Sequence, residues 1–211
     1  MQQRERFKPV SSKNPSLIRR YNSGGLSLGI LVGLGRISKK KWVYYPVTFY
    51  VNLIRNIPLI LVIFWFYFVM PVIIGRPLDP FPSAVISFII FEATYFGEIL
   101  RAGYQSVSKG QIEVGYSTGL TYIQTTRYIL IPIALRRMLP SMITQSIVTY
   151  QDTCLAFVIG LPEFVRITTI VDNIEVRSIQ LFGFVAFVFL ITCYICSVVS
   201  RRFEVKRERG Y

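Results

Sequence analysis

The run from Asn56 to Gly75, NIPLILVIFWFYFVMPVIIG, holds no charged side chain in 20 residues. About 20 apolar residues are what a helix needs to cross a ~30 Å hydrocarbon core. Three further runs resemble it. Pro80 to Gly97 carries one charge, Glu92, Met138 to Pro162 carries one, Asp152, and Ser178 to Ser200 carries none. A soluble domain has no use for four such stretches. Lipid offers the backbone no hydrogen-bond partners, so each spanning segment must satisfy its own. The expectation is an all-α integral membrane protein, a polytopic helical bundle with spans near 47–74, 80–101, 138–161 and 178–200. A fifth candidate is Gly24 to Gly35, GGLSLGILVGLG. Twelve helical residues rise only about 18 Å, too little to cross. Gly25, Gly29 and Gly33 repeat every four residues there, which lets another helix approach closely. A Gly-rich interfacial segment is the alternative.

Charge sets the orientation. The net charge is +13, from 24 Lys+Arg and 11 Asp+Glu. Ten of the basic residues fall in 1–46, five in 101–137 and five in 201–211. The opposite loops, 76–79 and 162–177, hold three: Arg76, Arg166 and Arg177. Short cytoplasmic loops collect Lys and Arg, so 1–46, the 101–137 loop and the C-terminus are placed in the cytoplasm. The basic excess then reads as topology and membrane-surface charge, not as nucleic-acid binding.

Several chemistries are excluded. There is no histidine, which removes imidazole acid–base catalysis and His-ligated metal sites. No stretch matches a P-loop, a dinucleotide fingerprint or a zinc spacing, and no internal repeat suggests the halves of a secondary transporter. Cys193 and Cys196 have the spacing of a redox pair, but they sit in a run without charge or turn residues and read as small apolar filler. The first 20 residues are polar and basic, without the apolar core of a secretory signal.

The long loop between the second and third spans is the most informative stretch. A short helix is expected from Gln111, with Glu113 in its first turn, where a negative charge suits the helix dipole. Gly119 breaks the pattern and Pro132 is expected to end it. A short exposed helix at the membrane surface is a good knob for a groove on a cytoplasmic partner.

In this loop Glu113-Val114-Gly115, then Gly119, then Ile129-Leu130-Ile131-Pro132 resemble the loop motif of binding-protein-dependent ABC importer permeases: E-A-A, a glycine four residues on, then I-x-L-P. Glu113, Gly119, Ile129 and Pro132 keep the register. Val114 and Gly115 stand for the two alanines, and Ile131 for the leucine. The flanking runs GEILRAGYQSVSKGQIE, ALRRMLPSMITQSIVTYQDTCLAFVIGL and YVNLIRNIPLILVIFWFY look like the polar amino acid branch, which includes histidine and glutamine permeases. Within it they look most like glutamate/aspartate permeases, in IRNIPL, FWFY and QDT-x-L. The resemblance covers about 24–202 and implies a type I importer permease of the bacterial inner membrane. On that reading 1–23 is a basic polar segment, 24–202 the transmembrane domain with its ATPase-coupling loop at 102–137, and 203–211 a cytoplasmic tail. The implied partners are a dimer of cytoplasmic ATP-binding subunits, a sister or identical permease, a periplasmic substrate-binding protein and the lipid. The chain itself needs no cofactor and no catalytic residue, because ATP is bound by the partner. Members open with a full-length first span; here only its last half, 24–37, is apolar.

Intramembrane polar residues are rare and often functional. A zwitterionic substrate needs acceptors for its ammonium and donors for its carboxylates. Asp152, Gln151, Thr153 and Glu92 could supply the first, and Arg55 the second. The competing readings are interhelical pairing for Asp152 and Glu92, and an interfacial anchor for Arg55. Glu98 and Arg101, three apart on a helix, read as an ion pair. Three other readings stay open: a permease for another polar amino acid such as glutamine or a basic one, a truncated subunit that no longer transports, and a membrane-embedded enzyme using Asp152, Glu92 or a cysteine.

The charge split predicts that a cysteine introduced at Leu120 is labelled only from the cytoplasm and one at Thr168 only from outside. External labelling at 120 without labelling at 168 contradicts the orientation.

Overall fold

The structure is a computed structural model that describes residues 14–208. Among the described residues every regular element is helical, as the backbone argument requires. In chain order these are α1 (Asn14–Ile37), α2 (Lys41–Arg55), α3 (Leu59–Ile74), α4 (Pro80–Gln105), α5 (Lys109–Ser117), α6 (Tyr122–Ile159), α7 (Phe164–Glu175) and α8 (Ser178–Glu208). Two of them, Pro80–Gln105 and Ser178–Val198, are long and apolar enough to cross a membrane unbroken. The bent pairs α2 with α3 and α6 with α7 bring the number to four if each pair crosses as one.

Three sequence expectations need correction. The span expected at 47–74 is interrupted: α2 stops at Arg55 and α3 begins at Leu59. Pro58 is the cause, since the residue before a proline is pushed out of the helical region and proline has no N–H to give. The helix expected to start near 138 begins at Tyr122 and runs through Pro132, so Pro132 does not end it. Thr126–Leu130 widen into a π-turn just before that proline, which accommodates a residue that cannot donate to the preceding turn. The helix of the fifth candidate starts at Asn14, ten residues before Gly24, so the apolar half-span caps a longer and more polar helix. Residues 1–13 and 209–211, parts of the expected N-terminal segment and tail, lie outside the described residues.

The chain divides into two compact units, one built from Ile57–Ile89 and the region from Ser146 on, the other from Gly24–Asn56 and Ile90–Gln145. In the second unit the glycine stripe of α1 packs on α4. A Cβ on Gly25 would lie 3.0 Å from the Glu92 Cβ, one on Gly29 2.6 Å from the Phe96 Cβ, and one on Gly33 2.9 Å from the Leu100 Cβ. Gly97 answers from α4, where a Cβ would lie 2.7 Å from Val32 Cγ1. The stripe therefore serves contact within this chain. α2 folds back on α1, so that Val32, Val51 and Ala93 share a core with Leu28, Val47 and Tyr50 around it. The Tyr50 hydroxyl donates to the Ile90 carbonyl at 2.6 Å. Arg36 reaches Glu98 at 3.0 Å, and Arg101 pairs with the same carboxylate, as its spacing on α4 predicts.

In the first unit Ser83, Ala84, Ser87 and Phe88 of α4 are fully buried, and so is Ile63 of α3. Ser87 donates to the Ser83 carbonyl at 2.7 Å, which satisfies a hydroxyl that has no water to turn to. α7 is capped by Glu163, whose carboxylate accepts from the N–H groups of Val165 and Arg166 at 2.9 and 2.6 Å. Phe164 and Tyr150 stack on α8 through Phe184 and Phe189. Ile179, Phe184, Phe187 and Leu190 of α8 point outward, the pattern of a helix facing lipid.

Widening Gly29 to Val is expected to force α1 away from Phe96 and to reduce the amount of folded protein in the membrane several-fold. Gly183→Val, where a Cβ meets nothing within 4 Å, is the control. Equal abundance of the two variants contradicts the packing role.

Candidate functional site

The loop between α4 and α6 is built by local capping. Ser108 precedes α5, and its hydroxyl accepts from the Gln111 N–H at 3.4 Å while Gln111 Oε1 accepts from the Ser108 N–H at 3.3 Å. This capping box fixes the helix start at Lys109. Glu113 is therefore past the first turn, a correction to the expected placement, and it is exposed. A second box, Thr121 with Gln124, starts α6. Between the boxes Gly119 has φ +81. Its N–H donates to the Tyr116 carbonyl at 3.0 Å, and the Leu120 N–H donates to the Gly115 carbonyl at 3.1 Å. These two bonds form a Schellman closure, which needs a left-handed residue at that position.

The same unit explains why the motif's second alanine is Gly115 here. Gly115 is buried, and a Cβ on it would lie 2.7 Å from Ile129 Cδ1 and 2.8 Å from Thr125 Cγ2. Ile129 lies in the π-turn of α6, so α5 rests directly on that turn. Leu130, Val107 and Ala134 make a small core beneath, with Tyr104, Ile112 and Ile133 packed on it. Glu113, Gly119 and Ile129 are thus held in one compact arrangement, and Pro132 follows directly after the π-turn. Val114, Tyr116, Tyr122 and Ile123 stay exposed around it, Ile123 by 75%. An apolar, rigid knob with one carboxylate is what a partner groove can grip.

The path candidates divide between the units. Glu92 and Arg55 belong to one, and Gln151, Asp152 and Thr153 to the other. Glu92 is completely buried on α4 and accepts from Gln145 Nε2 at 2.9 Å. Gln145 was not singled out from the sequence; the signal was an amide in an apolar span, which must find a partner. The Arg55 guanidinium lies 4.8 Å from the centroid of the Tyr95 ring, a cation–π contact at the end of α2. Gln151 is exposed and Asp152 half-buried. They sit where α6 tightens into the 3₁₀ turn Thr153–Ile159, and the Thr153 hydroxyl donates to the Tyr150 carbonyl at 2.6 Å. Asp152 thus stands at a change of helix type, not inside a uniform span.

Residues 25–209 match the family described as "Binding-protein-dependent transport system inner membrane component". The chain belongs to this family. It is a multi-pass inner-membrane subunit of a transporter, non-catalytic, with the ATPase in a separate chain. Membership implies ATP-binding subunits and a further permease subunit as assembly partners. The chain is 36% identical over 189 residues, 84% of each chain, to the "Glutamate/aspartate import permease protein GltK" of Escherichia coli O6:H1. It is 36% identical over 182 residues, 85% of this chain and 83% of the relative, to the "Probable glutamine ABC transporter permease protein GlnP" of Bacillus subtilis. The solved structure titled "Crystal structure of an amino acid ABC transporter with histidines" superposes with a TM-score of 0.86 at 25% identity, covering 92% of this chain and 90% of that one.

For the permease, Glu92→Ala is expected to lower the melting temperature of the purified complex, because the Gln145 amide loses its buried acceptor at a cost of about 1–3 kcal/mol. Glu92→Gln keeps a carbonyl acceptor and loses less. Equal melting temperatures for the two variants contradict the pairing.

Proposed function

We propose that the chain is the permease subunit of an ATP-driven amino acid importer that carries glutamate or aspartate. The observation that carries this reading is the 36% identity to a glutamate/aspartate permease over 84% of both chains. A glutamine permease relative of equal identity makes glutamine the second reading. In this account a periplasmic binding protein delivers the substrate, two ATP-binding subunits drive the cycle, and the permease forms the gated path together with a sister or identical copy. The chain needs no cofactor of its own.

The loop at 102–137 is the coupling element. Glu113 is exposed on α5, Gly119 closes that helix, and Ile129 supports it through Gly115. Motion of an ATPase groove that grips α5 would pass to α6 through the π-turn next to Pro132. Of the path candidates, Asp152 with Gln151 and Thr153 is read as an acceptor group; Arg55, which belongs to the other unit, is read by itself as a donor for a carboxylate. Burial of Glu92 against Gln145 favours a bundle-holding role for that carboxylate.

Uptake by proteoliposomes containing the assembled complex and its binding protein tests the substrate. Labelled glutamate and aspartate should accumulate on ATP addition, and a tenfold excess of unlabelled glutamine should not compete. Glutamine accumulation in their place selects the second reading, and ATP hydrolysis without any uptake marks a non-transporting subunit. Coupling has its own test in Gly119→Arg. A non-glycine residue in the left-handed region costs roughly 1–2 kcal/mol and the long cation obstructs the partner face, so ATP hydrolysis should persist while uptake falls at least tenfold at unchanged membrane abundance. Uptake at the normal rate removes the docking assignment. Asp152→Asn separates path from packing: lost uptake at normal abundance makes Asp152 a path residue, and reduced abundance makes it a structural one.

A further inference from the structure

The end of α4 is joined to α6 at two points, all within one compact unit. Gly103 is buried, and a Cβ on it would lie 2.6 Å from Met138 Sδ and 3.3 Å from the Ala134 carbonyl oxygen. The helices touch there with no room for a side chain. Just beyond, Arg137 Nη1 donates to the Ser106 carbonyl. Ser106 follows Gln105, the last residue of α4, where helix carbonyls have no partner within the helix. Its N–H donates to the Ala102 carbonyl at 2.9 Å and its hydroxyl to the Gly103 carbonyl at 2.7 Å. Its own carbonyl, at the negative end of α4, accepts from a cation, as the helix dipole favours. Arg137 is otherwise exposed, so packing does not account for its place.

We infer that Arg137 is a positioning residue for coupled transport: it locks the end of α4 to α6, so that a push received by α5 moves both helices together. The inference rests on reading α5 as the ATPase contact. α5 sits on α6 through Gly115, against Thr125 and Ile129, so a push on α5 enters α6. The covalent link from α4 to α5 is the irregular stretch 106–108, which bends before it transmits force. Arg137, from α6, grips the first residue of that stretch and removes the slack. Val107 of the same stretch shares a core with Leu130 and Ala134 of α6. Coupling is carried by such chains of packed side chains and hydrogen bonds between rigid elements.

Transport stoichiometry tests this in proteoliposomes holding the assembled complex and its binding protein. The probe is whichever of labelled glutamate and glutamine the unaltered complex accumulates. Arg137→Met keeps the apolar stem and removes the donor and the charge, whereas Arg137→Lys keeps both. Substrate taken up per ATP hydrolysed should fall about fivefold or more for Arg137→Met. Arg137→Lys should recover at least about half of the normal ratio. A merely structural role lowers abundance or melting temperature and leaves the ratio unchanged, and that result overturns the inference. A second measurement needs no change at Arg137. Nitroxide labels at Ala102→Cys and Leu135→Cys, both exposed, report the distance between the two helices in a chain whose Cys154, Cys193 and Cys196 are replaced by Ala. That distance should be the same without ATP and with ATP trapped; a change overturns the lock. A photo-crosslinker at Val114, exposed on α5, separates the two readings. An adduct with the ATP-binding subunit beside an unchanged ratio removes the role of Arg137 alone. No such adduct removes the docking reading and this inference with it.

Discussion

Gly25, Gly29 and Gly33 let α1 lie against α4 at a separation that no larger residue permits. Between apolar helices in lipid there is little hydrophobic gain from association, so close packing and buried hydrogen bonds must hold them. The rest of that unit depends on this approach. It brings Val32 and Ala93 into one core with Val51 of α2, covers Glu92 on α4, and brings Arg36 to Glu98. The Arg36–Glu98 pair and the Tyr50 hydroxyl, bonded to the Ile90 carbonyl, find their partners inside the protein, where an orphan would be costly.

The loop between α4 and α6 shows the same economy on a smaller scale. One capping box and one left-handed glycine define α5 without help from a partner, and a second box starts α6. Gly115 then lets the helix settle on Thr125 and Ile129. The departure from alanine at this position follows from the side chains opposite it. A helix of nine residues is marginal alone. Its caps and its seat on the π-turn are what hold it in place.

Much of this was legible in the sequence. The all-helical class follows from four apolar runs, and the loop element from Glu113, Gly119, Ile129 and Pro132 in register. The ion pair of Glu98 with Arg101 follows from spacing on one helix, whereas the third member, Arg36, comes from α1 and needed the fold. The glycine repeat announced a close approach but not its target, because the repeat carries no information about Phe96 or Leu100. Boundaries were harder. Pro58 broke a span that apolarity alone ran together, while Pro132 did not break a helix, because the π-turn before it is invisible to residue preference. Ser108 was the readable signal for the start of α5, and placing that start at Gln111 overlooked its box with Gln111. Gln145 was hidden because its role exists only opposite Glu92.

The central claim is that α5 is the surface by which this permease receives the ATPase stroke. Val114 is 63% exposed on that helix, and a photo-crosslinker carried there reads its neighbour directly. In the assembled complex the account predicts an adduct with the ATP-binding subunit, with a yield that changes when ATP is trapped. An adduct with lipid or with the substrate-binding protein contradicts it.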